Sequence, residues 1–241
     1  MTSLFLHLSI TLLLAHLISD FLLQPQSLLK KKKKILWMVM HCLIHGIIVY
    51  LLLGIWTEWL VPAIIVLSHF VIDSVNIRVK KVNLTVFLID QFFHLIVLAI
   101  LIIFVLNPKG VTPTWFRLFD GYAVIAVYLT AILLLVPVGG VLIGYFVQPF
   151  QNQIRYQQAT KGLENGGKVI GWLERLLIFI FVLVGQYAGV GFLIAAKSIF
   201  RFGELKENQN RKEAEYIIIG TFASFLYAIL VSLLAKWVLG I

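Results

Sequence analysis

Long apolar runs alternate along this chain with short polar or basic breaks, and the runs are of helix length. The first, at 4–23, holds about 20 residues, enough to cross a bilayer core at 1.5 Å rise per residue. It has no basic region before it and no small-residue cleavage site, so it is read as a retained helix and not a signal peptide. Gln24-Pro25-Gln26 ends it. Further runs follow at 35–54, 59–75 and 84–106, with a short turn at 55–58 flanked by Trp56 and Trp59, residues suited to a membrane interface. Asn107-Pro108-Lys109-Gly110 breaks the fourth run. The fifth, at 122–150, exceeds one span, and Pro137, Gly139 and Gly140 predict a kink inside it. A polar linker at 151–168 precedes the second half, and 216–239 is a final span.

The stretch at 169–205 is harder to place. As a single helix it would be about 55 Å long and would carry the basic residues beyond it to the opposite face from Arg155, Lys161 and Lys168. Gly185, Gly189 and Gly191 offer a break, so a hairpin of two short or re-entrant crossings is preferred. The fold class is therefore all-α, a polytopic integral membrane helix bundle of eight helices, or seven spans without the hairpin. Residues 1–110 form a four-helix membrane module. Residues 111–241 supply the C-terminal membrane helices.

Composition agrees, since 61% of the residues are hydrophobic where a soluble domain has about 45–50%. The net charge of +9 lies largely in loop clusters, while the aromatics lie in apolar runs, which argues against nucleic-acid binding. Fourteen Lys and Arg fall in the breaks at 30–34, 76–83, 151–168 and 205–214, against Lys109 and Arg117 on the other side. Positive-inside counting puts the basic breaks in the cytoplasm and the N-terminus outside, in a bacterial inner membrane. The run Lys30, Lys31, Lys32, Lys33 and Lys34 reads as a stop-transfer anchor, with contact to anionic lipids as its second reading. Cys42, the one cysteine, excludes an intrachain disulfide and is expected to be buried packing.

Against this apolar background stand four polar pairs, each spaced by four: His16 and Asp20, His41 and His45, His69 and Asp73, Asp90 and His94. That spacing stacks both side chains on one helix face. Ionisable groups in hydrocarbon cost about 2.5–3.5 kcal/mol each on insertion scales and so need partners. The predicted orientation puts every pair in the cytoplasmic third of its helix. Asp20, His41, Asp73 and Asp90 form a shallow layer, and His16, His45, His69 and His94 a deep one. One such pair alone is most simply a helix–helix hydrogen bond; four at one depth point to a metal site. Eight nitrogen and oxygen donors exceed the four that one zinc takes, so two divalent ions are expected, with Zn favoured and Fe or Mn possible alternatives. Some of the aspartates could instead support the histidines from behind. His7 does not share this depth and is read as interfacial.

The arrangement of His16, Asp20, Phe21 and Gln24, then His41, His45 and Gly46, His69, Phe70 and Asp73, and Asp90, Gln91 and His94 resembles a bacterial membrane family catalogued as domain of unknown function 3307, over about residues 1–110. The second half resembles the extension of its longer members. The resemblance implies no activity. More distantly, the His/Asp-rich helices are similar in motif style to inner-membrane metal-dependent hydrolases.

The residues favour a membrane-embedded metal-dependent hydrolase acting on a lipid or other anionic substrate at the cytoplasmic leaflet. Asp20, Asp73 and Asp90 are candidate general bases. Arg175, Lys197 and Arg201 are candidate substrate-binding cations, although pairing with Glu174 and Glu204 is the simpler role for them. The competing readings are a diiron oxidase or desaturase, haem held by paired histidines, and a metal or proton transporter. No Gly-x-Ser-x-Gly elbow supports serine-esterase chemistry.

Overall fold

A computed structural model describes residues 3–24, 34–79, 81–154, 165–202 and 211–241. The lysines at 30–33, Lys80, Arg155, Lys161, Lys206 and Glu204 lie outside the described residues, and so does the side chain of Arg201. The described chain is all-α. Five of its helical stretches are long and apolar enough to cross a membrane by length and composition: Leu4–Leu22, Ile35–Leu53, Leu84–Lys109, Tyr122–Gln151 and Lys212–Leu239. Two shorter apolar helices, Leu60–Asn76 and Tyr187–Ile199, accompany them. The chain is thus a multi-pass membrane protein in its helical make-up. It divides into two units, Met1–Leu133 and Leu134–Ile241.

In the first unit, α1 (Ser3–Leu17) runs on into a π-helical turn at Ile18–Leu22, closed by Leu23 N–H donating to the Ile18 carbonyl at 2.9 Å. Next come α2 (Ile35–Leu53), α3 (Leu60–Asn76) and α4 (Leu84–Ile100), the last extended by a π turn at Leu101–Leu106. The short α5 (Trp115–Leu118) and α6 (Tyr122–Leu133) complete the unit. Asn83 caps α4, its side chain accepting from Val86 N–H at 2.9 Å.

The end of α2 shows how the orphan carbonyls of a helix terminus are satisfied. Gly54 takes the left-handed conformation (φ 63°) that stops the helix. Thr114 then donates through its backbone N–H to Leu53 O and through its hydroxyl to Gly54 O, while Trp115 Nε1 donates to Leu51 O. The apolar core of this unit gathers Leu8, Leu12, Val49, Val61, Ile65 and Leu98. Gly46 lets α2 and α3 approach closely, because a Cβ there would lie 2.5 Å from Val66 Cγ2. Cys42 is buried.

In the second unit the π turn at Leu134–Val138 contains Pro137 and leads into α7 (Gly139–Gln151). Proline and the wide turn loosen the backbone ladder, and side chains re-satisfy its carbonyls. Tyr227 donates to Leu134 O at 2.8 Å, and Arg175 Nε donates to Leu135 O. Helix α8 (Gly166–Leu183) stops at Gly185 (φ 73°), and α9 (Tyr187–Phe202) turns back along it, so that Lys197 reaches Glu174 at 2.7 Å. The last helix, α10 (Arg211–Leu239), packs against α7 and α8.

Candidate metal centre

Four helices of the first unit bring their polar pairs into one buried cluster. Asp20 sits in the π turn that prolongs α1, a widened turn of the kind that recurs at functional sites. His41 and His45 come from α2, His69 and Asp73 from α3, and Asp90 and His94 from α4. His16, His41, His45, His69, Asp73 and His94 are all at most 6% exposed. The Asp20 and Asp90 side chains, at 9% and 14%, form the most open edge.

The tightest convergence is on Asp20 Oδ1. His41 Nε2 lies 3.1 Å from it, His45 Nε2 3.2 Å and His69 Nε2 3.5 Å, while His41 Nε2 and His69 Nε2 are themselves 3.2 Å apart. Hydrogen bonding alone does not account for this set. Three Nε2 atoms carry at most three protons, each suited to one straight bond, yet they make four close contacts. A divalent ion does account for it. In a tetrahedral zinc shell with bonds of about 2.0–2.1 Å, neighbouring donors lie about 3.3–3.4 Å apart. Asp20, His41, His45 and His69 form one group whose donor atoms lie within 4.8 Å of one another, and His69, Asp73 and His94 form a second. These buried groups are able to hold metal ions, and they share His69.

The remaining two predicted residues flank these groups. His16 Nε2 lies 3.6 Å from Asp20 Oδ2, and His94 Nε2 lies 3.7 Å from Asp90 Oδ1. Asp20 therefore touches members of both predicted layers, so the shallow and deep sets interleave into one body. A residue given no role from sequence ties them together. The Gln91 side chain accepts from His16 Nε2 at 3.1 Å and donates to Asp90 Oδ2 at 3.2 Å and Asp20 Oδ2 at 3.5 Å. Its signal was an amide beside Asp90 in an otherwise apolar run. A cavity of about 10 Å³, lined by His16, His45, His69 and His94 among others, has room for about one water. His7 lies apart, stacked on Phe116 with ring centroids 4.0 Å apart.

Of the cations expected to bind substrate, Arg175 is buried at 3% exposure and donates to Leu135 O and to Ser224 Oγ. Lys197 pairs with Glu174. Arg201 gives no side-chain evidence, as its side chain lies outside the described residues.

Residues 8–120, which include all eight cluster residues, match the family described as protein of unknown function (DUF3307). Over that stretch the chain is similar to this family, and the C-terminal region lies beyond the match. No curated protein and no solved structure matches the chain.

Proposed function

We propose that this protein is a membrane-embedded metal-dependent hydrolase. The observation that carries the reading is the convergence of the His41, His45 and His69 ring nitrogens on Asp20 Oδ1. The donors are imidazole and carboxylate without thiolate, a set that suits Zn, Fe or Mn. The first ion belongs to the four-residue group. A second ion would be held by His69, Asp73 and His94.

A divalent ion held there supplies Lewis acidity toward a phosphoryl or carbonyl oxygen and makes bound water more acidic. Asp20 and Asp73 serve as ligands. Asp90, at the more exposed edge and held by the Gln91 amide, serves as general base. The small cavity lined by His16, His45, His69 and His94 suits one water beside the cluster. Substrate, an ester or phosphoester of a membrane lipid, approaches over Asp20 and Asp90. The basic breaks favour a bacterial inner membrane with this edge toward the cytoplasm.

The test is to strip the purified protein, reload it separately with Zn, Mn and Fe(II), and assay phosphoester and carboxyl ester cleavage. Hydrolysis restored by a metal and lost in Asp90→Asn supports the reading. A metal-loaded protein that cleaves neither class, and shows an iron chromophore instead, favours the redox alternative.

A further inference from the structure

The second unit contains an open cavity of about 770 Å³ lined by α7, α8, α9 and α10, within the range of about 300–1,000 Å³ typical of small-molecule sites. Its walls are unlike in character. Ile143, Val147, Leu193 and Ile217 contribute apolar surface to the lining, and Lys168, Arg175 and Lys197 contribute cations.

Among the described residues the cations of the lining outnumber its carboxylates. Glu174 is the one carboxylate among the described residues of the lining, and Lys197 already engages it at 2.7 Å. Arg175 is 3% exposed, and its bonds go to neutral acceptors, Leu135 O and Ser224 Oγ. Among the described residues no carboxylate lies within ion-pair distance of it. Two neutral acceptors offset only part of the cost of burying a guanidinium, and an anion at the lining would offset more of it.

Arg175 lines the cavity together with Gly140 and Gly171. A Cβ at Gly171 would lie 3.2 Å from Arg175 Nη1, and one at Gly140 would lie 3.9 Å from Nη2. Behind the lining, Trp172 Nε1 is buried with no hydrogen-bond partner and would lie 3.6 Å from a Gly140 Cβ. The guanidinium thus packs directly over Gly171 and beside Gly140, two residues of the cavity lining that carry no side chain.

We propose that this cavity binds the phosphate headgroup of an anionic membrane lipid, with Arg175 facing the phosphate and an acyl chain along the apolar wall. A lipid fits better than a soluble anion for two reasons. Much of the lining is hydrocarbon, and one wall belongs to α10, whose stretch Lys212–Leu239 is long and apolar enough to span a bilayer. All residues involved belong to the second unit, so the proposal does not rest on the metal reading.

The test uses full-length protein in detergent, with native mass spectrometry to count retained phosphatidylglycerol and phosphatidylcholine of matched acyl chains. Phosphatidylglycerol should bind about tenfold more tightly, the scale of one or two charge-assisted hydrogen bonds. Inorganic phosphate and glycerol phosphate should fail to displace it at equal concentration. Arg175→Gln should remove the preference. Should that variant not fold, two variants with exposed backbones carry the test: Lys168→Gln should weaken the preference, and Gly167→Leu, whose Cβ meets nothing within 4 Å, should fill the cavity and lower binding of the anionic lipid. Equal binding of the two lipids, displacement by inorganic phosphate, or no effect of Lys168→Gln and Gly167→Leu would each overturn the proposal.

Discussion

The Nε2 atoms of His41 and His69 lie 3.2 Å apart, one carried by α2 and the other by α3, and both face the same oxygen of Asp20. Two protonated imidazoles would repel at that distance, and two N–H donors aimed at one oxygen leave their mutual contact without a proton to share. A shared cation turns the same geometry into a coordination edge.

His69 belongs to both metal-capable groups, whereas His94 belongs to one. His69→Ala should therefore strip the protein of nearly all bound metal. His94→Ala should lower the metal per chain but leave the ion at Asp20, His41 and His45. Elemental analysis of the two variants checks this ordering, and equal losses would contradict the division into two groups.

Gln91 holds Asp20, Asp90 and His16 together without being a ligand of the four-residue group. Residues that orient ligands in this way typically change metal affinity by about 10–100-fold. Gln91→Leu should weaken binding by that factor in a competition titration with a chelator, while saturating metal still reaches the wild-type stoichiometry. An unchanged affinity would reduce Gln91 to packing.

The close approach of α2 and α3 depends on Gly46. Gly46→Ala places a methyl 2.5 Å from Val66 Cγ2 and 3.4 Å from Pro62 O, and overpacking of this kind costs about 1–3 kcal/mol. Gly144→Ala, whose Cβ meets nothing within 4 Å, should be neutral or stabilise by up to about 1 kcal/mol through helix propensity. Thermal melting in detergent compares the two, and Val66→Ala should partly rescue the first.

The proposed orientation is open to chemistry in cells. Single cysteines at Gln26 and Lys80 should be shielded from an impermeant thiol reagent added outside, and one at Lys109 should react. Reversed labelling would invert the protein in the membrane and move the Asp20 edge to the other leaflet.

Much of this architecture is legible in the residues, for clear reasons. Apolar runs of span length and proline or glycine breaks act locally, so the helices and the stop near Gly185 can be read from composition. The spacing of four between His16 and Asp20, or between His69 and Asp73, is also local, and it marks those residues as sharing a face. What pattern alone does not carry is how faces from different helices interlock. The π turn at Ile18–Leu22 falls where no proline or glycine announces it, and it carries the aspartate on which both predicted layers converge. Gln91 has an ordinary polar side chain whose three partners lie on α4, on α1 and in the π turn that prolongs α1. Arg175 looks like an interfacial cation from its neighbours Trp172 and Glu174. Its burial depends on Leu135 and Ser224, 40 and 49 residues away.

The central claim is that the Asp20 cluster holds a divalent metal, and the metal content of purified protein tests it most directly. Wild type should carry one to two equivalents of Zn, Fe or Mn per chain. His45→Ala should lose most of it and melt at lower temperature, since its partners are then buried without a cation to bind. His7→Ala should match wild type, because His7 lies about 14 Å from His16 along the helix axis. Metal-free wild type, or His45→Ala with the same metal content and melting temperature as His7→Ala, would contradict the account.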